Sequence, residues 1–111
     1  MREIIKLEHR LIKEDGFRQL EFVKGSTDYG YTSKSTNQGR TWEATMEAIV
    51  KKVDAALLMK LTGPSVFRIT GTGEMLEIGR KDVPVQAEIV GDEQVHLSVK
   101  VTDIFLNRRL L

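Results

Sequence analysis

The residues best suited to binding a ligand lie in a polar stretch, residues 26–40, which reads STDYGYTSKSTNQGR and is nearly free of aliphatic side chains. Its hydroxyl and amide groups supply hydrogen-bond donors, and Lys34 and Arg40 add positive charge. Tyr29 and Tyr31 provide rings that could stack on a base. Together these groups suit a nucleotide or another phosphate-bearing small molecule.

The segment that follows, residues 41–61, is patterned as a helix, and Thr41 is placed to cap it. The first N–H groups of a helix have no intrahelical partner and attract anions. Arg108 and Arg109 could reach the same phosphate from a neighbouring subunit. The predicted ligand-binding residues are therefore Tyr29, Tyr31, Lys34, Asn37, Arg40, Thr41, Arg108 and Arg109. The alternative is a solvated loop that ends at the Thr41 cap and binds nothing.

No catalytic or metal-binding motif is present in the sequence. The absence of cysteine excludes a disulfide scaffold, a zinc ribbon and thiol catalysis. His9 and His96 fall on different predicted hairpins, and an inward-facing His9 is typical of a hydrogen-bonded core residue. The Gly71-x-Gly73 pair lacks the third glycine of a dinucleotide-binding turn. We therefore expect a protein without enzymatic activity, cofactor or metal.

Composition indicates one domain spanning residues 1–111. Hydrophobic residues make up 41% of the chain and charged residues 30%, as in ordinary globular proteins. The net charge of +1, from 17 basic and 16 acidic residues, argues against strong non-specific binding of nucleic acid. The N-terminus does not resemble a signal peptide, and no long apolar run predicts a membrane span. The cytoplasm is the expected location.

Residues 41–61, TWEATMEAIVKKVDAALLMKL, are predicted to form one long helix that ends before Gly63 and Pro64. One face of this helix would be broadly apolar, as expected of a helix that covers a core. That face consists of Trp42, Met46, Ile49, Val50, Val53, Ala56 and Leu57. At about 1.5 Å per residue, the helix would be roughly 30 Å long and would cross a small sheet.

Two further surfaces predict self-association into a homo-oligomer. The rear of the helix carries small residues that would let a second helix approach, although alanine is also simply a good helix former. This seam consists of Ala44, Ala48, Ala55 and Leu58. The C-terminal arm is unusually apolar and would dock on its own core or on a partner subunit. Its apolar residues are Ile104, Phe105, Leu106, Leu110 and Leu111.

The remaining segments are predicted as strands. Residues 3–13 fit either a strand or a helix, but the turn at residues 14–16 and the strand-like segment after it favour a hairpin. Residues 65–70 and 75–78 are further strands, and residues 83–103 alternate clearly as a hairpin. The predicted fold is α+β: a two-layer sandwich in which one long helix packs across an antiparallel sheet of five to six strands.

The segment QGRTWEATMEAI, residues 38–49, resembles the helix start of HicB-type antitoxin domains, in which a glycine turn and a threonine-capped helix follow strands. This resemblance implies a helix at residue 41 and carries no function over. The preferred hypothesis for function is a homo-oligomeric protein that binds a nucleotide, such as one that sequesters a nucleotide signal. The alternative is a protein–protein interaction or assembly module, antitoxin-like or structural, without a small-molecule ligand.

Overall fold

The computed structural model describes residues 2–51, 53–85 and 87–111, and most of this part of the chain is strand. The predicted α+β class is confirmed, but the helix is short. The elements are β1 (Lys6–Leu11), β2 (Arg18–Leu20), β3 (Asp28–Thr36), β4 (Gly39–Lys51), α1 (Ala55–Thr62), β5 (Ser65–Gly71), β6 (Glu74–Ile78), β7 (Ala87–Val90), β8 (Gln94–Asp103) and β9 (Asn107–Leu110).

The strands form two antiparallel sheets rather than one sheet beneath a helix. The five-stranded sheet has the order β2-β1-β5-β6-β9, and the four-stranded sheet has the order β3-β4-β8-β7. The predicted hairpins are present as β1–β2 and β7–β8. Both sheets contribute to a single core: Phe67 and Leu76 come from the first, and Met46 and Leu97 from the second. The second sheet, and not a long helix, thus covers the apolar face of the first sheet.

The predicted helix over residues 41–61 is wrong, because its first half is the central strand β4. The segment also alternates with period two, and Ala44, Met46, Ala48 and Val50 face the core while Glu47 and other intervening residues do not. β3 pairs with residues 39–47 and β8 pairs with residues 42–51. Strand pairing on both edges outweighs the high helix propensity of alanine, glutamate and methionine.

The helical seam predicted for self-association is consequently not formed. Ala44 and Ala48 are 5% and 3% exposed and lie inside the core, so no second subunit can reach them. Ala55 and Leu58 lie on α1, which has only eight residues. A seam of this kind requires all four side chains on one continuous helix, and the strand conformation of β4 removes that geometry.

Helix α1 lies at one corner of the fold, near β1 and β7. Asp54 caps it, since its Oδ1 accepts a hydrogen bond from the Leu57 N–H at 2.7 Å, and the helix ends before Gly63. Leu61 anchors α1 as its fully buried residue. Within the described part of the chain, no helix has the length and apolar character needed to cross a membrane.

The two sheets are joined by backbone hydrogen bonds where strands end. The Val23 N–H donates to the Ile49 carbonyl at 2.8 Å, so the segment after β2 continues beside β4. Ser65 and Val85 exchange two backbone hydrogen bonds, of 2.9 and 3.1 Å. At this junction Gly79 has a φ of 96°, and a Cβ there would lie 2.7 Å from the Ser65 carbonyl oxygen. Only glycine meets both conditions.

The polar stretch at residues 26–40 is not an irregular loop, because most of it is β3 and the turn into β4. The Asn37–Gln38 turn is fixed by Thr36, whose hydroxyl donates to the Gly39 carbonyl at 2.7 Å and accepts from the Gln38 N–H at 3.2 Å. Residues 32–40 are all exposed, and we call them the hairpin arm. At about 3.3 Å per residue, β4 is roughly 43 Å long, close to the 44 Å longest dimension of the molecule.

The C-terminal arm docks on its own chain through its backbone. β9 pairs with β6, and the Leu111 N–H donates to the Gly73 carbonyl at 3.0 Å. Leu106 packs against the core. The side chains of Ile104, Phe105, Leu110 and Leu111 are exposed. The arm is therefore an edge strand whose apolar side chains remain available on the surface.

Candidate functional site

A buried carboxylate organises a polar pocket near the start of β6. Glu74, at the start of β6, is only 7% exposed. Its oxygens accept hydrogen bonds from the hydroxyl groups of Tyr29 at 2.6 Å and Tyr31 at 2.7 Å, and from the Nε of Arg108 at 2.6 Å. Arg2 donates a fourth bond through Nη1 at 3.3 Å. A buried charge needs such partners, and here both oxygens are satisfied. We call these five residues the Glu74 cluster.

The cluster is assembled from both sheets and both ends of the chain. Tyr29 and Tyr31 are two residues apart on β3 and therefore share a face, while Arg108 lies on β9 beside β6. Arg2 is held along β3, because its carbonyl accepts the Tyr29 N–H at 3.3 Å and its own N–H donates to Asp28 at 3.0 Å.

A glycine in β5 makes room for the deeper of the two phenols. Gly71 lies opposite Glu74 in the sheet. A Cβ at Gly71 would fall 2.0 Å from the Tyr29 hydroxyl oxygen. A side chain at this position would therefore displace Tyr29 from Glu74, so the glycine is part of the geometry of the cluster.

Hydrogen bonding fixes the charge state of the cluster. The hydrogen bond from Tyr29 is the main cause that lowers the pKa of Glu74 to about 2, with further contributions from Tyr31 and Arg108 and against the effect of burial. Burial, followed by the bond to Glu74, raises the pKa of Tyr29 to about 12. Near neutral pH Glu74 is anionic and Tyr29 is neutral, so neither is tuned to transfer protons. Their arrangement instead positions the two guanidinium groups.

These guanidinium groups line an open pocket of about 520 Å³, together with Tyr31, Thr72 and Gly73. The Cζ atoms of Arg2 and Arg108 lie 4.6 and 5.6 Å from the centre of the Tyr31 ring. Their side chains are 48% and 36% exposed and can therefore meet a solute. The cluster itself has a net charge of +1, but Glu3 also lines the pocket and brings the formal charge of its lining to zero. Attraction for an anion is therefore local to the two guanidinium groups.

The structure brings together only part of the set of binding residues predicted from the sequence. Tyr29, Tyr31 and Arg108 meet at Glu74. Arg109 follows Arg108 in β9 and therefore points to the opposite face of the sheet.

The other four predicted residues lie at the far end of the β3–β4 hairpin, where Thr41 pairs with Lys34, Asn37 lies in the turn and Arg40 follows it. The extended backbone at Thr41 removes the helix N-terminus that was expected to bind the anion. A ligand-binding role for these four residues stays a prediction.

Sequence reasoning missed Glu74 and Arg2. The signal for Glu74 was its position in the run EMLEI, where residues 74, 76 and 78 share the inward face. A carboxylate in register with two buried aliphatic residues indicates a buried ionic contact. No pattern in the sequence marked Arg2, because its role depends on the pairing of the N-terminal segment with β3.

A second buried polar group, around His9, is structural. Arg18 donates through Nη1 to His9 Nδ1 at 2.7 Å, and Ser65 Oγ lies 2.8 Å from His9 Nε2. Because arginine can only donate, the ring proton is on Nε2 and is given to the Ser65 oxygen. Ser65 in turn donates to the Gly63 carbonyl at 2.6 Å. Burial is the main cause that lowers the pKa of His9 to about 4.

His9 therefore cannot accept the proton of Ser65, and both residues are fully buried. This pair does not form an activated serine nucleophile of the kind that uses histidine as a base.

Across residues 2–51, 53–85 and 87–111, no group of three or more His, Cys, Asp or Glu side chains is arranged to hold a metal ion. In comparisons with protein-family models, curated proteins and solved structures, none matched this chain.

Proposed function

We propose that this chain is a non-enzymatic binding protein for a phosphate-bearing small molecule, held by Arg2 and Arg108. The observation that carries this proposal is the convergence of two guanidinium groups, from distant parts of the sequence, at the mouth of one pocket. Arginine suits phosphate because its planar fork of N–H groups can bind two oxygens at once.

Glu74 prepares both arginines for this role. An arginine side chain has five N–H donors, and the bonds to Glu74 use the Nε of Arg108 and one Nη of Arg2. Donors therefore remain for a solute, while the carboxylate holds each guanidinium group in position. This restraint reduces the side-chain entropy that binding would otherwise cost.

The pocket also bears on which part of a nucleotide is recognised. Its volume of about 520 Å³ falls within the range of roughly 300–1,000 Å³ for small-molecule sites. Arg2 lies over the Tyr31 ring, and Tyr29 is buried. The proposal therefore does not rely on a base that stacks on either ring. Recognition through the phosphate is better supported, and sequestration of a nucleotide signal is one use of such a site.

Calorimetry with inorganic phosphate, adenosine monophosphate and adenosine tests the proposal. We expect the two phosphate compounds to bind and adenosine not to bind. Arg108→Gln should weaken binding at least tenfold, since a charged hydrogen bond is worth roughly 1.5–3 kcal/mol. Arg109→Gln is the matched control, because it removes the same charge from the opposite face of β9. Equal effects of both variants, or no heat from either phosphate compound, would overturn the proposal.

The exposed C-terminal arm favours a second candidate, assembly into a homo-oligomer. β9 is an edge strand, and Ile104, Phe105, Leu110 and Leu111 are exposed around it. Deletion of the arm would also remove Arg108, so point variants are preferable. We expect native mass spectrometry to show an oligomer that Ile104→Ser with Phe105→Ser dissociates, while Ile5→Ser, at an equally exposed position, leaves it intact. A monomeric wild-type protein would exclude this candidate.

A further inference from the structure

A second concave surface lies where α1 meets the end of β1 and the segment that precedes β7. This groove has a volume of about 660 Å³, and its floor is mainly apolar, with Leu11, Met59 and Pro84 among its lining residues. Met59, in the second half of α1, is 74% exposed. An exposed methionine beside a concave apolar surface is well suited to a ligand, because its flexible thioether adapts to different shapes.

Three lysines, Lys13, Lys60 and Lys81, stand around this apolar floor on three separate segments of the chain. Among the described residues none of the three forms a salt bridge, and no acidic side chain lines the groove. Three like charges in the lining of one apolar surface raise the local concentration of anions. We call this surface the lysine-rimmed groove.

We infer that the lysine-rimmed groove binds a small anionic amphiphile, with an apolar chain or ring on the floor and a carboxylate, sulfate or sulfonate head at the lysines. Charge complementarity selects the anionic head. Lysine suits it, because an ammonium group on a flexible stem needs no fixed ligand geometry. The occupant is a free molecule rather than a membrane, because a bilayer surface cannot enter a concave groove whose volume is that of a small-molecule site.

A pair of fluorescent probes separates the contribution of the charge from that of the apolar floor. Anilinonaphthalene sulfonate carries an anionic head, and phenylnaphthylamine has the same rings without it. We expect one sulfonate probe to bind per chain. The triple variant Lys13→Gln, Lys60→Gln and Lys81→Gln should weaken its binding about eightfold, since each exposed ion pair contributes roughly twofold. Binding of the neutral probe should remain unchanged in this variant.

The control is a second triple variant, Lys24→Gln, Lys51→Gln and Lys100→Gln, which removes the same charge from outside the groove and should bind the sulfonate probe as the wild type does. Equal weakening in the two triple variants would overturn the inference, because it would show a general charge effect. Met59→Ser, at an exposed position that the fold tolerates, should weaken both probes. If Met59→Ser leaves the affinity for both probes unchanged, the probes bind outside the groove and the inference is overturned.

Two competitors identify the source of the ligand. Dodecanoate below its micelle concentration should displace the sulfonate probe, whereas dodecanol, which lacks the charge, should displace it poorly. Vesicles of phosphatidylglycerol should not bind the protein. Lysine-dependent binding to these vesicles without displacement by dodecanoate would overturn the inference of a free amphiphile in favour of a membrane surface. Arg108→Gln should leave all of these results unchanged, which separates this groove from the proposed phosphate site.

Discussion

Replacement of Glu74 by glutamine removes the negative charge on which four hydrogen-bond donors converge, while the shape of the side chain is kept. The amide oxygen can still accept a bond from one tyrosine, so the fold should persist. What is lost is the interaction of a charged acceptor with Tyr29, Tyr31, Arg2 and Arg108. This loss should depend on pH, because it exists only where the wild-type carboxylate is ionised.

The pKa of Glu74 gives the size and the sign of the effect. Its value falls from 4.5 to about 2 in the folded protein, which corresponds to about 3–4 kcal/mol at roughly 1.4 kcal/mol per pH unit. Arg2 and Arg108 are partly exposed, and screening reduces the contribution to about 2–3 kcal/mol. Because folding lowers this pKa, the stabilisation is complete above pH 4.5 and disappears as the pH falls through 2.

Urea denaturation of the wild type and Glu74→Gln between pH 7 and pH 2.5 measures this difference. We expect the free energies of unfolding to differ by about 2–3 kcal/mol at pH 7 and to converge towards pH 2.5. Glu77→Gln is the control on the same strand, where a half-buried side chain accepts a 3.5 Å hydrogen bond from Asn107. A difference for Glu74→Gln that stays constant across the pH range would refute the reasoning, since it would arise from packing rather than charge.

Three further predictions concern the buried histidine and the required glycines. NMR titration should give His9 a pKa near 4. Because folding lowers this pKa, the stability of the fold should decline as the pH falls from 6.5 towards 4. A His9 ring that titrates near 6.5 would contradict the effect of burial. Gly79→Ala should lower the free energy of unfolding by about 2 kcal/mol more than Gly39→Ala, since both have positive φ but only Gly79 lacks space for a Cβ. Gly71→Ala should push Tyr29 away from Glu74 and cost about 2–4 kcal/mol in urea denaturation, and unchanged stability would show that the phenol contributes little.

The parts of the fold that could be predicted from the sequence are the hairpins whose alternation is unambiguous. Residues 94–103 alternate between buried apolar and exposed polar side chains through most of β8, and the glycine before them marks the turn. β1 is correctly predicted as a strand, because a turn and a second strand-like segment follow it. In each case the pattern and the turn residues are local, so the sequence alone contains the decisive information.

β4 could not be predicted in the same way, because its sequence fits two periodicities at once. Met46 and Val50 lie on one face of a helix and also on one face of a strand, being four residues apart. The choice depends on whether strands are available on both edges, and these come from residues 28–36 and 94–103. Such non-local pairing overrides local helix propensity. The error then extended to the binding site, since the expected helix N-terminus depended on it.

The site could be predicted only in part for a related reason. Tyr29, Tyr31 and Arg108 were identified from their side-chain chemistry, which the sequence shows directly. Their meeting at Glu74 requires β3, β6 and β9 to be placed in the correct sheets. The three-dimensional arrangement therefore changed the interpretation of Tyr31, from a stacking platform for a base to a hydrogen-bond donor with a guanidinium group over its ring.

The exposed hairpin arm at residues 32–40 has a practical consequence. Its turn at Asn37–Gln38 lies at the end of a two-stranded ribbon, and residues 32–40 of this ribbon are all exposed. Surface turns of this kind tolerate added sequence, because an insertion lengthens the ribbon without entering the core. An epitope or a fluorescent reporter grafted between these two residues would lie well away from the Glu74 cluster.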